Sequence, residues 1–530
     1  MHITISVVMH VYSFIDSLLE HHKLRNSLTE RIYMKRFAAL SLAMILLAMS
    51  AVSCSESTEN SDAGTSAEET VTSAAETESE TEEAEPTVTD IVKEKYGSYD
   101  YEGYGYKVMA PAVGSHMYAE VGSDVNEVWV EETDGTPMND AIYNRNLATE
   151  DLINITITPI FINGDDTIQN QVKADITAGS TEYDAVLNRM DFIGPQAQNG
   201  MYFNLKNYID TSNSWWDKNI VNTFTLFNSK LYWISGDINT FDDFAVEVIF
   251  TNKTILEQNG FELPYQDVLE GKWTIEKMYQ LCTACERDLD GDGELKVGKD
   301  VIGHVEGNDH VKHWIYAMGE KSIDIDDDGN LVINTLTESQ INAVDTLYNY
   351  MVEKQMTYTG TWQDFYKGNI VFAGAMLGPI NSLRDMENDF GVLPMPKKNE
   401  EQESYGNYVS NGWTTVYAIP MTNPDPERTG IILEVLCGFS TDTLRSALYD
   451  VLFAAKLVRD NDSVEMLNII FDSKSYDWAV DFSWGGTFGS AYNSVYNNKN
   501  NNYVSTATKA LKAETKSLDR VITAFTELEY

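Results

Sequence analysis

"YDAVLNRMDFIGPQAQNGMYFNLKNYI", Tyr183 to Ile209, opens on a short apolar run, Ala185-Val186-Leu187, and turns polar at once. Such a run bounded by polar residues reads as a buried strand. A strand ending near Leu187 delivers Asp191 to the carboxyl end of a parallel sheet, where open α/β sheets place their ligands. Asp191 is therefore either a ligand-binding carboxylate or a helix cap.

Working outward, strand-like and helical patterns alternate. "EVWVEE" (127–132), "NDAIYNRNLATEDLI" (139–153) and "ITITPIFI" (155–162) precede the opening stretch. "FAVEVIFTN" (244–252), "WTIEKMYQLCTACERD" (273–288), "ESQINAVDTLYNYMVEK" (338–354), "NIVFAGAML" (369–377) and "WTTVYAIP" (413–420) follow it, before a largely helical tail. Strands separated by helices predict an α/β fold with largely parallel sheets. No fixed-period repeat is present, which argues against a solenoid or propeller.

The order of these pieces resembles the family 1 extracellular solute-binding proteins, the capture subunits of bacterial ABC importers related to maltodextrin binders. The stretches that carry the resemblance are the opening one, "SKLYWISGDINTFDDFAVEVIFTNKTILEQNGFELP" (229–264), "GKWTIEKM" (271–278), "GNIVFAGAMLGPI" (368–380) and "DFGVLPMPK" (389–397). The resemblance implies a two-lobed, periplasmic-binding-protein-like α/β fold of type II, with lobes built from non-contiguous segments. On that template one lobe is 87–242 plus 367–404, the other is 243–366 plus 405–530, and Phe244 to Val248 is a crossing strand that acts as hinge. It also implies that Asp191 accepts sugar hydroxyls. Glu132 and Asp134, after the expected first strand of the body, would face the same cleft. The family often has an aromatic stacker after "GP"; here the residue is Ile380.

Ahead of the body, Lys35-Arg36, an apolar stretch from Phe37 to Met49 and the small residues before Cys54 have the layout of an export signal. "AVSC" (51–54) looks like a lipobox that makes Cys54 the lipidated first residue after a signal at 34–53, with residues 1–33 upstream of the true start. Residues 55 to 86 hold eleven Asp and Glu and no Lys or Arg, a solvated tether with too little apolar surface to fold. The whole chain carries a net charge of -45, which excludes a polyanionic partner such as nucleic acid, because phosphate binding needs clustered Lys and Arg.

In "DLDGDGELKVGKD" (288–300), Asp288, Asp290 and Asp292 alternate before Gly293, the spacing of a calcium loop. Glu294 would give its carbonyl, and the closing acid, Asp300, comes one residue late; the alternative is a solvated acidic loop. "DIDDDGN" (324–330) reads as a hairpin turn. Gly293 to Lys299 spells most of a phosphate loop, but Asp300 replaces the magnesium-binding Ser or Thr, and nucleotide binding is not expected. His310-x-x-His313, with His304 nearby, reads as packing or surface histidines, and Cys282 and Cys285, on one helix face, as core.

Sugars present apolar C–H faces and rings of hydroxyls, so their sites combine aromatic platforms with planar polar groups. Trp413 and Trp484 are the aromatic candidates, with Trp314 behind them, while Trp273 before Thr274 reads as structural. No G-x-S-x-G elbow occurs, and with 82 acidic residues in the chain no carboxylate pair stands out. Taken together, the expectation is a lipid-anchored, monomeric, extracytoplasmic protein without an organic cofactor. It captures a carbohydrate for an ABC permease, with calcium as a structural ion. The alternatives are a peptide or other polar-solute binder and an anchored glycoside hydrolase.

Overall fold

The structure, a computed structural model, describes residues 86–112, 127–180, 182–307, 310, 313–454, 461–482 and 488–528. The leader, Cys54, the tether through Glu85 and Trp484 lie outside the described residues. The strands in chain order are β1 (Tyr104–Pro111), β2 (Ile155–Ile162), β3 (Ala185–Arg189), β4 (Glu247–Asn252), β5 (Ile302–Glu306), β6 (Ile323–Ile325), β7 (Leu331–Ile333), β8 (Thr357–Thr359), β9 (Ile370–Met376), β10 (Phe390–Leu393), β11 (Asn407–Tyr408), β12 (Thr415–Ala418) and β13 (Lys474–Ser475).

β1, β2 and β3 are the parallel part of a first sheet of order β12-β3-β1-β2, which β12 joins antiparallel to β3. Its helices follow from local chemistry. Pro137 starts helix Pro137–Ile153 where a missing N–H costs nothing, and Asn154 ends it in the left-handed region. Helix Pro426–Asp442 is apolar almost all round and buried from Thr429 to Ser440, as a helix inside a core must be. It packs on helices Val88–Tyr96 and Pro137–Ile153. Gly438 allows the approach, since a Cβ there would stand 2.3 Å from Val92. Glu434 of the same helix accepts the indole N–H groups of Trp215 and Trp216 at 2.7 and 3.1 Å.

The second sheet has the order β10-β4-β9-β5-β8, with β5 parallel to β8 and β9 and with β4 antiparallel to β9 and β10. Helix Ile275–Cys285 covers it, capped by the Thr274 hydroxyl and burying Cys282 and Cys285. Trp273 is buried and donates to the Pro394 carbonyl at 2.8 Å. β6 and β7 form the expected hairpin around the Asp326–Asn330 turn.

Two expectations need correction. "EVWVEE" is not a strand; the first strand is β1, and 127–134 is irregular chain. Residues 367–404 do not belong with the first sheet either: β9 and β10 pair in the second, while β12 and helices Pro426–Asp442 and Leu444–Ala454 belong with the first. β9 is buried on both faces between β4 and β5. A fully apolar strand satisfies any central slot, so its pattern does not say which sheet it enters.

Three stretches cross between the sheets and run side by side. Val246 bridges Val409 antiparallel, and β11 pairs with β13 in parallel. Behind them lies a buried charge cluster. Lys474 Nζ sits 2.8 Å from Asp217, 2.6 Å from Asp242 and 3.2 Å from Asp243, and Arg445 reaches Asp243 at 2.7 Å. A charge taken out of water must be paired, and this cluster meets that demand where the chain changes sheets.

Candidate functional site

At the carboxyl end of β3 the chain turns directly into helix Met190–Gln198. Arg189, the last strand residue, grips Asp191 with both arms, Nε to Oδ1 at 3.1 Å and Nη2 to Oδ2 at 2.6 Å. The guanidinium lies over the Phe192 ring, 4.6 Å from its centre, and 3.8 Å from Asp165 at the start of the helix after β2. Burial pushes the Asp191 carboxyl up, with Arg189 opposing. Asp191 is thus not a helix cap: the cap position is Arg189, and Asp191 stands in the first turn.

β12 brings a second group to the same edge. Thr415 is in register with Arg189, the Met190 amide donates to the Thr414 carbonyl at 2.9 Å, and a Cβ on Gly412 would sit 3.3 Å from the Arg189 guanidinium. Trp413 is therefore beside the Arg189–Asp191 pair, and it is half-buried. A third contribution comes from the chain after β1. Buried Glu127 accepts from the Phe241 amide at 3.0 Å and the Thr415 hydroxyl at 2.5 Å, and it bonds the Thr240 amide as well. Half-buried Trp129 follows two residues on. Glu132 and Asp134 are exposed; Asp134 accepts the Thr136 amide and hydroxyl at 2.9 and 2.6 Å, ordering the turn into helix Pro137–Ile153.

The corresponding edge of the second sheet is the carboxyl end of β5, β8 and β9 with the start of β4. Glu247 opens β4, and its Oε1 lies 2.8 Å from His310 Nδ1 and 2.9 Å from His313 Nδ1. Burial pushes this carboxyl up, but the two imidazoles outweigh it and hold it at about 2. The His313 ring stacks on Tyr408 at 4.2 Å, and Tyr408 on Tyr316 at 4.8 Å. Tyr408 and Trp413 lie on one short segment, so the two edges meet across the crossing chain. Half-buried Trp362 follows β8 on this side.

Trp314 is not at either surface. It is fully buried, donates its indole N–H to Glu306 at 2.9 Å and meets His304 edge-on, a packing role forced by its place in the second core. Trp215, Trp216, Trp233, Trp273 and Trp478 are buried too. The tryptophans left half-buried among the described residues are Trp129, Trp362 and Trp413. Sequence reasoning passed over Trp129, Arg189, Glu247 and Tyr408; His310-x-x-His313 was visible as a motif but not its carboxylate partner.

In the acidic loop, carboxylate oxygens of Asp288, Asp290 and Asp292 come within 4.8 Å of one another. Each also accepts a backbone amide of the loop. Lys296 draws on Asp292 and Glu294, at 2.6 and 2.9 Å, and Lys299 on Asp290 at 3.3 Å. Asp300 closes the loop by accepting the Leu289 and Lys296 amides at 2.9 and 2.8 Å. The three aspartates fit a hard cation that takes oxygen ligands; Glu294 and Asp300 point their carboxylates at other partners.

Two carboxyl edges bearing a guanidinium–carboxylate pair, half-buried indoles and polar groups can hold a polar ligand with apolar faces between them. No family model and no curated protein sequence matches this chain. Its structure is similar to that of a cyclo/maltodextrin-binding protein complexed with maltotetraose, at 14% identity over 77% of this chain and 97% of the other, with a TM-score of 0.52. It is also similar to a cyclic alpha-maltosyl-1,6-maltose binding protein from Arthrobacter globiformis, at 11% identity over 78% and 98%, with a TM-score of 0.51. The fold is thus the two-lobed α/β fold of type II periplasmic binding proteins. No helix among the described residues is long and apolar enough to cross a membrane.

Proposed function

We propose that this chain is the substrate-binding component of an ABC importer, capturing an oligosaccharide between its two carboxyl edges and handing it on intact. The observation that carries the reading is the meeting, on one edge, of the Arg189–Asp191 pair with the segment that bears half-buried Trp413. Planar hydrogen-bonding groups beside flat aromatic faces suit a ring of hydroxyls with apolar sides. The two similar structures are those of proteins that bind maltotetraose and a cyclic maltosyl-maltose. In this reading Trp484 joins the aromatic platforms, and Glu132 and Asp134 lie at the rim.

A lipidated Cys54 anchors the protein to the outer face of the cell membrane, the acidic tether gives it reach, and the permease is its protein partner. The protein acts as a monomer, and calcium at Asp288, Asp290 and Asp292 stiffens the loop they form. Isothermal titration against a panel of oligosaccharides, followed by chromatography of the recovered ligand, tests the function. Saturable binding of at least one sugar, recovered at its original length, is expected. Shortened sugar would make the protein a hydrolase, and binding of peptides in place of sugars would move it to another solute class.

A further inference from the structure

We propose that Glu247, His310 and His313 form a binding site for a divalent transition metal, zinc foremost, at the carboxyl edge of the second sheet. One ligand atom from each residue lies within 4.8 Å of the other two. Both imidazoles turn Nδ1 toward a single carboxylate oxygen. Two imidazole nitrogens and one carboxylate oxygen are a donor set that zinc favours, with positions left for water or ligand. Metal–ligand bonds of about 2.0–2.2 Å set tetrahedral ligands about 3.4 Å apart, so the two nitrogen–oxygen separations of 2.8 and 2.9 Å widen by about half an ångström, with the rings turning toward the ion, when it enters.

The surroundings match such a site. The Glu247 side chain is 3% exposed, those of His313 and His310 11% and 36%, so the cluster runs from a buried anchor to an open mouth. A buried carboxylate needs a nearby positive charge. The cations in salt-bridge range of Glu247 among the described residues are these two histidines, which are charged only when protonated. The Tyr408 and Tyr316 stack fixes the plane of His313, as metal-ligating imidazoles are commonly fixed by a neighbour. The site differs in kind from the acidic loop, which offers oxygen alone and suits a harder ion.

The test is zinc binding by the full chain after exhaustive chelation, read by calorimetry and by elemental analysis of the dialysed protein. Cobalt serves as a coloured stand-in that reports nitrogen ligands through its visible absorption. One zinc per chain is expected at near-neutral pH, lost in acid as the imidazoles protonate. His310→Ala and His313→Ala are each expected to weaken it by roughly tenfold or more, whereas Asp290→Ala leaves it unchanged. If His313→Ala fails to fold, His310→Gln on the open side serves instead. Absence of bound zinc, or binding that survives both His310→Ala and Glu247→Gln, overturns the proposal. Sugar titration of the chelated protein keeps the two readings apart, because the proposed capture function does not require this ion.

Discussion

At the scale of single side chains, the proposed site rests on Arg189 and Asp191, because each supplies what the other needs at a partly buried edge. Removing one partner leaves a charge uncompensated, whereas replacing both by apolar residues of similar size is often neutral for stability. Asp191→Ala is expected to weaken sugar binding by about 1.5 to 3 kcal/mol, roughly tenfold to a hundredfold in Kd. The paired change Arg189→Met with Asp191→Leu separates support from recognition. Its thermal midpoint is expected to fall less than that of Arg189→Met alone, since only the 3.8 Å contact with Asp165 is then lost without compensation, while calorimetric sugar binding disappears; retained binding would move the site elsewhere. Trp413→Ala and Trp129→Ala are each expected to cost binding but little stability, since half-buried indoles have less packing to lose. The place of Asp191 just past the end of β3 was legible in sequence because the end of a strand is a local property, fixed by a few neighbours. Glu247 was not: its histidines lie 63 and 66 residues away, and no local pattern joins them.

Among the described elements, the crossing stretches carry a dense buried charge cluster. Burial pushes the Asp242 carboxyl from 3.8 to about 7, Lys474 opposing and Asp243 and Asp217 adding. A carboxyl raised in the folded state binds its proton more tightly there than in the unfolded chain. Its contribution is therefore complete below the ordinary carboxylate value and is lost as pH rises through about 7. The melting temperature is expected to fall as pH rises from the ordinary carboxylate value to about 7 and to level off above it, and Asp242→Asn to flatten that slope; an identical slope in the variant would deny Asp242 this role. Lys474→Met leaves Asp217 and Asp242 without their cation, while Asp243 keeps Arg445, and is expected to cost about 3–5 kcal/mol in urea denaturation at neutral pH. The acidic loop makes a milder prediction: calcium is expected to raise the midpoint of the wild type but not of Asp290→Ala. The alternation of strands and helices was readable, as were the β6–β7 hairpin and the cap at Thr274, because period and turn chemistry are local. The assignment of β9 and β12 to sheets was not, because a buried apolar strand is equally content in either.

At the scale of the whole body, the described residues form two main sheets joined through three adjacent crossings, the geometry of a hinge. A ligand that touches both edges stabilises the arrangement that brings them together, by as much as it prefers that arrangement. Small-angle scattering is expected to show a smaller radius of gyration on saturation with the bound sugar, and an unchanged radius would mean that capture needs no closure. Mass spectrometry of the protein extracted from membranes is expected to find an acylated Cys54 at its start. The strand order has one more consequence, for the time course of synthesis. The sheet begun first is finished last: β10 completes the second sheet by Leu393, while the first waits for β12, which ends at Ala418, and for the helix from Pro426 to Asp442 that covers its neighbours. A chain growing from its amino end therefore carries β3 with an unpaired flank through the making of more than two hundred further residues. The amino-terminal half cannot settle early, and a nascent chain that stays unsettled that long can still be threaded through a narrow channel.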